Sequence, residues 1–327
     1  MKLKVPKNLD LPSSLNFCIL LDSLKNSENL MRNEEIIYDY GDLNRVEPFG
    51  MLILGSKIRE LVNKFPDCAH RDSNFKNGGS ASSYAAHMGF FKSVYQDYGK
   101  KPGEAKGSNT YIPIKYININ SMRNNRYEEL ENISTEIAEI LSRGNENLET
   151  CLSYSTLELL RNVLEHSESK NFWYSGQYWP SKKIVEVCIL DEGIGITNSI
   201  KKNKKIIIDN DLDAIRVSLE PGISTNGIAR ESNDPYSNSG FGLYMISNIC
   251  KYGGDIAICT GNKCLLIDGN GESTYETAFK GTAIRIRLDL NKLGTTKEIL
   301  IDLSKSGTKR AKEFKKLKTI TNEILTI

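Results

Sequence analysis

No Cys-x-x-Cys pair occurs among the seven cysteines, which fall at positions 18, 68, 151, 188, 250, 259 and 264. An odd, dispersed set excludes a disulfide framework and a cysteine zinc site, and fits reduced thiols. Cys188 sits inside an apolar strand pattern and reads as a small core residue rather than a nucleophile. Neither sign of charge dominates: 43 Lys+Arg stand against 41 Asp+Glu, formally +2, so net charge carries no nucleic-acid signal. Long apolar runs are missing too. The N-terminal "FCILL" is too short for a membrane span or the apolar core of a signal peptide, which leaves a cytoplasmic protein as the expectation. No internal repeat is present. What remains is ordinary for a globular protein, with 26% charged and 39% apolar residues in 327, enough for two domains.

The pattern along the chain predicts its organisation. Residues 15–22 and 35–40 ("EIIYDY") read as strands, and 47–65 as a helix with a proline near its start. Residues 67–83 are polar and glycine-rich, hence a loop; 83–99 read as a helix and 111–117 ("YIPIKYI") as a strand. Together 1–118 make a small α/β domain. Residues 126–167 read as two helices broken near Gly144, the first a charged helix within a linker over 119–149. "IVEVCIL" (184–190) is a buried strand, and 241–254 a helix closed by glycines. In "TAIRIRLDL", Ile284, Ile286 and Leu288 alternate with Arg285 and Arg287, which predicts one buried face and one wet face. The tail over 291–327 is a basic helix candidate.

Four short stretches could carry chemistry. "TLELLRNVLEHS" (156–167) spaces Glu158, Asn162 and His166 at steps of four, a polar stripe on a leucine-rich helix. Alone, that stripe is as well explained by a solvated face. "ILDEGIGI" (189–196) runs a buried strand into Asp191, followed by Gly193 and Gly195, where a ligand can approach the backbone closely or the chain can simply turn. "NSGFGLYMI" (238–246) sets Gly240 and Gly242 at a helix start, whose free N–H groups suit phosphate. "FKGTAIRIRL" (279–288) opens a strand with Gly-Thr.

In this order the four stretches resemble the GHKL ATPases, the family of DNA gyrase B, MutL, heat-shock chaperone ATPases, sensor histidine kinases and anti-sigma-factor kinases. The resemblance covers residues 150–290. It implies a two-layer α/β sandwich of the Bergerat type, an α+β fold preceded here by the small α/β domain, that binds ATP with Mg²⁺. Residue by residue, it implies that Asn162 holds the metal and Asp191 accepts from the adenine amino group. Gly193 and Gly195 make room for the nucleotide, and Gly240, Gly242 and Leu243 face the phosphates. Thr282 supports the adenine end, and Glu158 is the general base. Residues 197–239 become the ATP lid. Ser224 and Thr225 either reach phosphate from it or are plain loop polarity.

The chain departs from sensor kinases. Its only histidines are His70, His87 and His166, and none sits on a dimerising helix ahead of the ATP domain. Autophosphorylation on histidine is therefore not expected; His166 either faces the phosphates or is packed. Residues 36–62 resemble the strand-loop-helix of STAS-like domains, yet 39–55 contain no Ser or Thr to accept phosphate. A docking or regulatory module is the expectation for 1–118. Three functions stay open: ATP hydrolysis with lid closure, a serine/threonine protein kinase acting on a partner, and a non-hydrolysing ATP-dependent binding module. The expected partners are ATP and an unidentified protein, with no membrane; dimerisation stays open.

Overall fold

The computed structural model describes residues 1–25, 35–76, 79–122, 125–224, 227–228 and 242–293. The N-terminal part runs β1 (Lys2–Lys4), β2 (Asn8–Leu9), α1 (Leu11–Leu24), β3 (Glu35–Asp39), β4 (Arg45–Val46), α2 (Pro48–Lys64), β5 (Ala69–Ser73), α3 (Gly79–Met88) and α4 (Phe90–Ser93). It continues through β6 (Tyr111–Asn118), α5 (Arg126–Ser142), α6 (Glu146–His166), β7 (Asn171–Trp179), β8 (Ile184–Asp191), α7 (Gly195–Lys201) and α8 (Asp211–Ser218). The short β9 (Ile223–Ser224) and β10 (Gly227–Ile228), then α9 (Gly242–Gly253), β11 (Gly254–Asp268) and β12 (Gly271–Asp289) complete it.

Five antiparallel strands in the order β11-β12-β8-β7-β6 form the main sheet. One face carries α5, α6 and α9 over a core that includes Leu152, Leu160, Val187, Ile246 and Ile286. The opposite face is covered by α1 and α2, whose Leu15, Cys18, Met51 and Leu54 share a core with Trp173, Cys188, Leu190 and Ala283. That core also takes in Ile36 and Tyr38 of a small parallel sheet, β1-β3-β5. The layers are therefore sheet, helices, sheet, helices.

Several expectations change for local reasons. Residues 15–22 are helix, not strand. Asp10 accepts from Ser13 N–H at 3.1 Å, Pro12 sits in the first turn, and Leu11, Leu15, Cys18 and Leu21 are buried at helical spacing. The polar stretch 67–83 contains β5 and the start of α3, because β5 is an edge strand held in register by β3. The helix expected over 83–99 is two shorter ones, α3 and α4, separated at Gly89 with φ +91°. The strand at 111–118 is the edge of the main sheet, and the charged helix 126–142 packs beside α6 and against β6 and β7. The two helices do break where Arg143 and Gly144 take positive φ, and Asn145 caps the second. The tail beyond residue 293 lies outside the described residues.

The arginine face of β12 is not wet. Arg285 is buried and pairs with Asp255, while Arg287 reaches Glu186 at 2.6 Å and also Glu47. The N-terminal helices cover that face. Glu186 is fully buried on β8, and its other oxygen accepts the Phe49 N–H at 3.0 Å. That N–H lies in the first turn of α2, where the helix offers no internal partner. Glu47, at the position before α2, caps nothing and pairs with Arg45 and Arg287 instead. Burial and the neighbouring Glu186 push its carboxyl above the ordinary range. Arg287→Met should leave two buried carboxylates without their shared cation and cost roughly 3–5 kcal/mol in chemical denaturation. A loss below about 1 kcal/mol, the scale of an exposed pair, would show that the cluster is not what binds the two layers.

Candidate functional site

The site forms where the helix layer meets the ends of β8 and β12. Strand alternation aims Val185, Val187, Ile189 and Asp191 at the helices, and Ile284, Ile286 and Leu288 do the same from β12. Thr282 is the cross-strand partner of Asp191. Above them, α6 brings Leu159, Asn162, Val163 and His166 along one stripe, and α9 brings Gly242 and Leu243. These residues line an open pocket, walled further by α7 through Ile196 and Ser199 and by Ile223. The leucine-rich helix does carry both faces: Leu152 and Leu160 pack into the core, while Asn162 and His166 line the pocket.

Asp191 is 2% exposed, and its Oδ1 accepts the Gly193 N–H at 2.9 Å. Burial pushes its carboxyl up to about 7, against the lowering effect of the Gly193 and Thr282 donors. Gly193 has no room for a side chain, since a Cβ would stand 2.0 Å from the Ser167 carbonyl oxygen. The next turn is fixed by Thr260. Its hydroxyl donates to the Gly281 carbonyl at 2.8 Å and accepts the Ile196 N–H at 3.1 Å. Gly195, at φ +75°, fits over that hydroxyl. His166 is largely buried, which lowers its pKa and favours the neutral ring.

Glu158 lies one turn before Asn162 but is not among the residues lining the pocket. It sits between α6 and the first turn of α9, where a Cβ on Gly242 would fall 2.5 Å from its Oε2. Its Oε1 meets Arg161 at 3.3 Å. Burial raises its pKa, with Arg161 opposing and Glu165 adding to the rise. Of the nine site residues expected from sequence, Asn162, Asp191, Gly195, Gly242, Leu243 and Thr282 line one pocket. Gly193 supports its floor, Glu158 flanks it, and Gly240 lies outside the described residues, as does Thr225 of the expected lid.

Sequence reasoning missed Thr260, Ser167 and Gly281. Thr260 looks like any strand residue until β11 is laid beside Gly281, and Ser167 meets Gly193 through its backbone carbonyl, which no side-chain pattern marks. Gly281 was visible in the Gly-Thr pair, but not its cause: a Cβ there would stand 2.2 Å from the Asp191 carbonyl oxygen.

Residues 149–292 match the model of the histidine kinase-, DNA gyrase B- and HSP90-like ATPase family. That stretch is therefore a GHKL ATP-binding domain, and its strands β7, β8, β11 and β12 under α6 and α9 are consistent with the Bergerat-type architecture. The match does not reach residues 1–118, and nothing supports the STAS-like reading of that segment. No curated protein sequence matches the chain. Among the described residues no helix is long and apolar enough to cross a membrane.

The buried carboxyl makes a prediction for the ligand-free protein. A folded pKa near 7 against a reference of 3.8 means the native state binds more protons between those values. Stability tied to this group is therefore full below 3.8 and is lost as pH rises through about 7. Asp191→Asn should remove that slope. Denaturant midpoints across this range should diverge, with the variant gaining on the wild type as pH rises; parallel curves would show an ordinary carboxylate.

Proposed function

We propose that the chain binds Mg-ATP in this pocket and hydrolyses it, with Asp191 reading the base and Glu158 preparing the attacking water. The observation that carries the reading is the Asp191 carboxyl, buried at the pocket floor. It already takes the Gly193 N–H and the Thr282 donors, and it lines the pocket, where a planar amino group would be a further donor to it. An amino donor would favour the ionised form, offsetting the cost of its burial. The residues present also fit a metal-bound triphosphate. Asn162 offers an amide oxygen on the pocket wall, and the first turn of α9 lies beside it. Among the described residues no cluster of three or more His, Cys, Asp or Glu could hold an ion unaided. Asn162 would therefore be the protein's contribution, with phosphate oxygens and water as the other ligands. When bound, magnesium would neutralise charge on the phosphates.

The role of Glu158 follows from its place. It is one helical turn along from Asn162, away from Asp191, so it lies toward the phosphate end. Its raised pKa makes it a better base than an exposed carboxylate, provided Arg161 releases it. Asn162→Ala should reduce nucleotide affinity in magnesium but much less in its absence. Calorimetry with and without the metal checks this, and equal losses in both would assign Asn162 to packing.

Glu158→Ala is the experiment that tests the proposal. ATP affinity should stay near that of the wild type while phosphate release falls about 10²–10⁴-fold, the usual contribution of a general base. Full residual turnover would remove Glu158 from the chemistry. Loss of binding and turnover together would make it a support for α9. Labelled phosphate that appears on a partner protein, rather than free in solution, would redirect the same base to a hydroxyl and make the enzyme a protein kinase.

A further inference from the structure

A second recess backs onto the first. It opens between α2 and α4 on one side and β6 and β7 on the other. The two share a wall at the ends of β8 and β12, where the β11–β12 register is interrupted between Phe279 and Thr282 and simple alternation along the strand fails. Asp191 and Thr282 face the ATP pocket, whereas Glu192 and Lys280 line the second recess. Gly281 lets the two strand ends close up, since a Cβ there would lie 3.0 Å from the Glu192 Cα. The wall is thus one backbone layer thick.

The chemistry of the recess is uneven. Arg59 of α2 stacks over the Trp173 ring at 3.9 Å and pairs with Glu192 at 2.7 Å, and Ser56 donates to the same Glu192 oxygen. Glu60 is engaged by Lys25 and Lys57, and Lys92 by Asp97. Lys280 is exposed and makes no ion pair among the described residues. The unmatched charge is therefore positive. The unmatched hydrogen-bonding groups are mostly donors as well: Trp173 Nε1 and Arg59 Nε are buried without partners among the described residues. Beside them the Tyr116 ring, 42% exposed, packs against Trp173 at 4.6 Å and offers a flat apolar shelf.

We propose that this recess is a second ligand site, for a small molecule whose carboxylate or phosphate group is held by Arg59 and Lys280 and whose apolar part lies on Tyr116. Glu192 occupies Arg59 in the ligand-free protein. An arriving anion takes over that guanidinium, and Glu192, 31% exposed, turns to solvent. The residue displaced is the covalent neighbour of Asp191, so occupancy of one site is felt in the wall of the other.

The test uses the full chain with fluorinated tryptophan and follows the Trp173 resonance by fluorine NMR, assigned with Trp179→Phe. Inorganic pyrophosphate and citrate are titrated separately without magnesium. A saturable shift of the Trp173 signal with either anion is expected, and the stronger of the two identifies phosphate or carboxylate as the natural group. Lys280→Ala, an exposed change that spares the fold, should weaken that binding about tenfold or more, as for a lost charge-assisted contact. A response no larger than that of chloride at equal ionic strength overturns the proposal. So does a shift that survives Lys280→Ala and disappears with Asn162→Ala, which would place the anion in the ATP pocket. No nucleotide enters the measurement, so it fails separately from the reading of that pocket.

Discussion

The fully buried carboxylate of Glu186 holds the two halves of the molecule in register. It sits in the middle of the main sheet, on the face away from the pocket, and it has two duties. One oxygen completes the first turn of α2, and the other takes Arg287 from the neighbouring strand. A buried charge is tolerable only when its oxygens are satisfied. The N-terminal helix and β12 must both be in place for that to happen. Without α2 the sheet would expose Cys188, Leu190 and Ala283 together with an unsatisfied acid. The N-terminal segment is thus the second cover of the ATP-binding sheet.

That arrangement explains why the site has a rigid floor. β8 is buried on both faces, so Asp191 at its end is positioned by packing from both sides. Its neighbours are then set by backbone contacts that leave no room for side chains, at Gly193 against Ser167 and at Gly281 against Asp191 itself. The cost is electrostatic. A carboxyl this deep resists ionisation until a donor arrives, and the pocket donors offset only part of the burial. Rigidity and poor solvation have one cause, and both favour a ligand that brings its own hydrogen-bond donor.

Local pattern made much of this legible. The strand 184–190, the helix ending at Gly253 and the break near Gly144 follow from apolar runs and helix-end chemistry that act over a few residues. Six site residues could be brought to one pocket because each belongs to a short box with its own strand or helix. The errors share a different cause. Arg285 and Arg287 alternate with aliphatics as a wet face should, and only the distant α1 and α2 bury them. Residues 15–22 looked like a strand because their apolar run is short, although Asp10 and Pro12 ahead of it announce a helix. Thr260 carried no signal at all, since its role exists only once β11 lies beside Gly281.

The same logic locates where the pocket can respond. Asp211 anchors the wall built by α7 and α8: it receives the Thr197 hydroxyl from α7 and the Asn262 N–H from β11 at 2.8 Å. A Cβ on Gly261 would stand 2.0 Å from that carboxylate, so the β11 bulge there, at φ +57°, is shaped around it. The floor is locked from below by the N-terminal helices, and the α7–α8 wall is tied to β11 through Asp211 and through the Thr260 hydroxyl that accepts the Ile196 N–H. On the α6 wall, Glu158 is held by Arg161, an exchangeable ion pair rather than a packed core. That pair and the Arg59–Glu192 pair behind the pocket are ones a charged ligand can replace without unpacking aliphatic side chains. Changes on ligand binding should therefore begin at these two carboxylates, one on each side of the sheet, and not in the sheet between them.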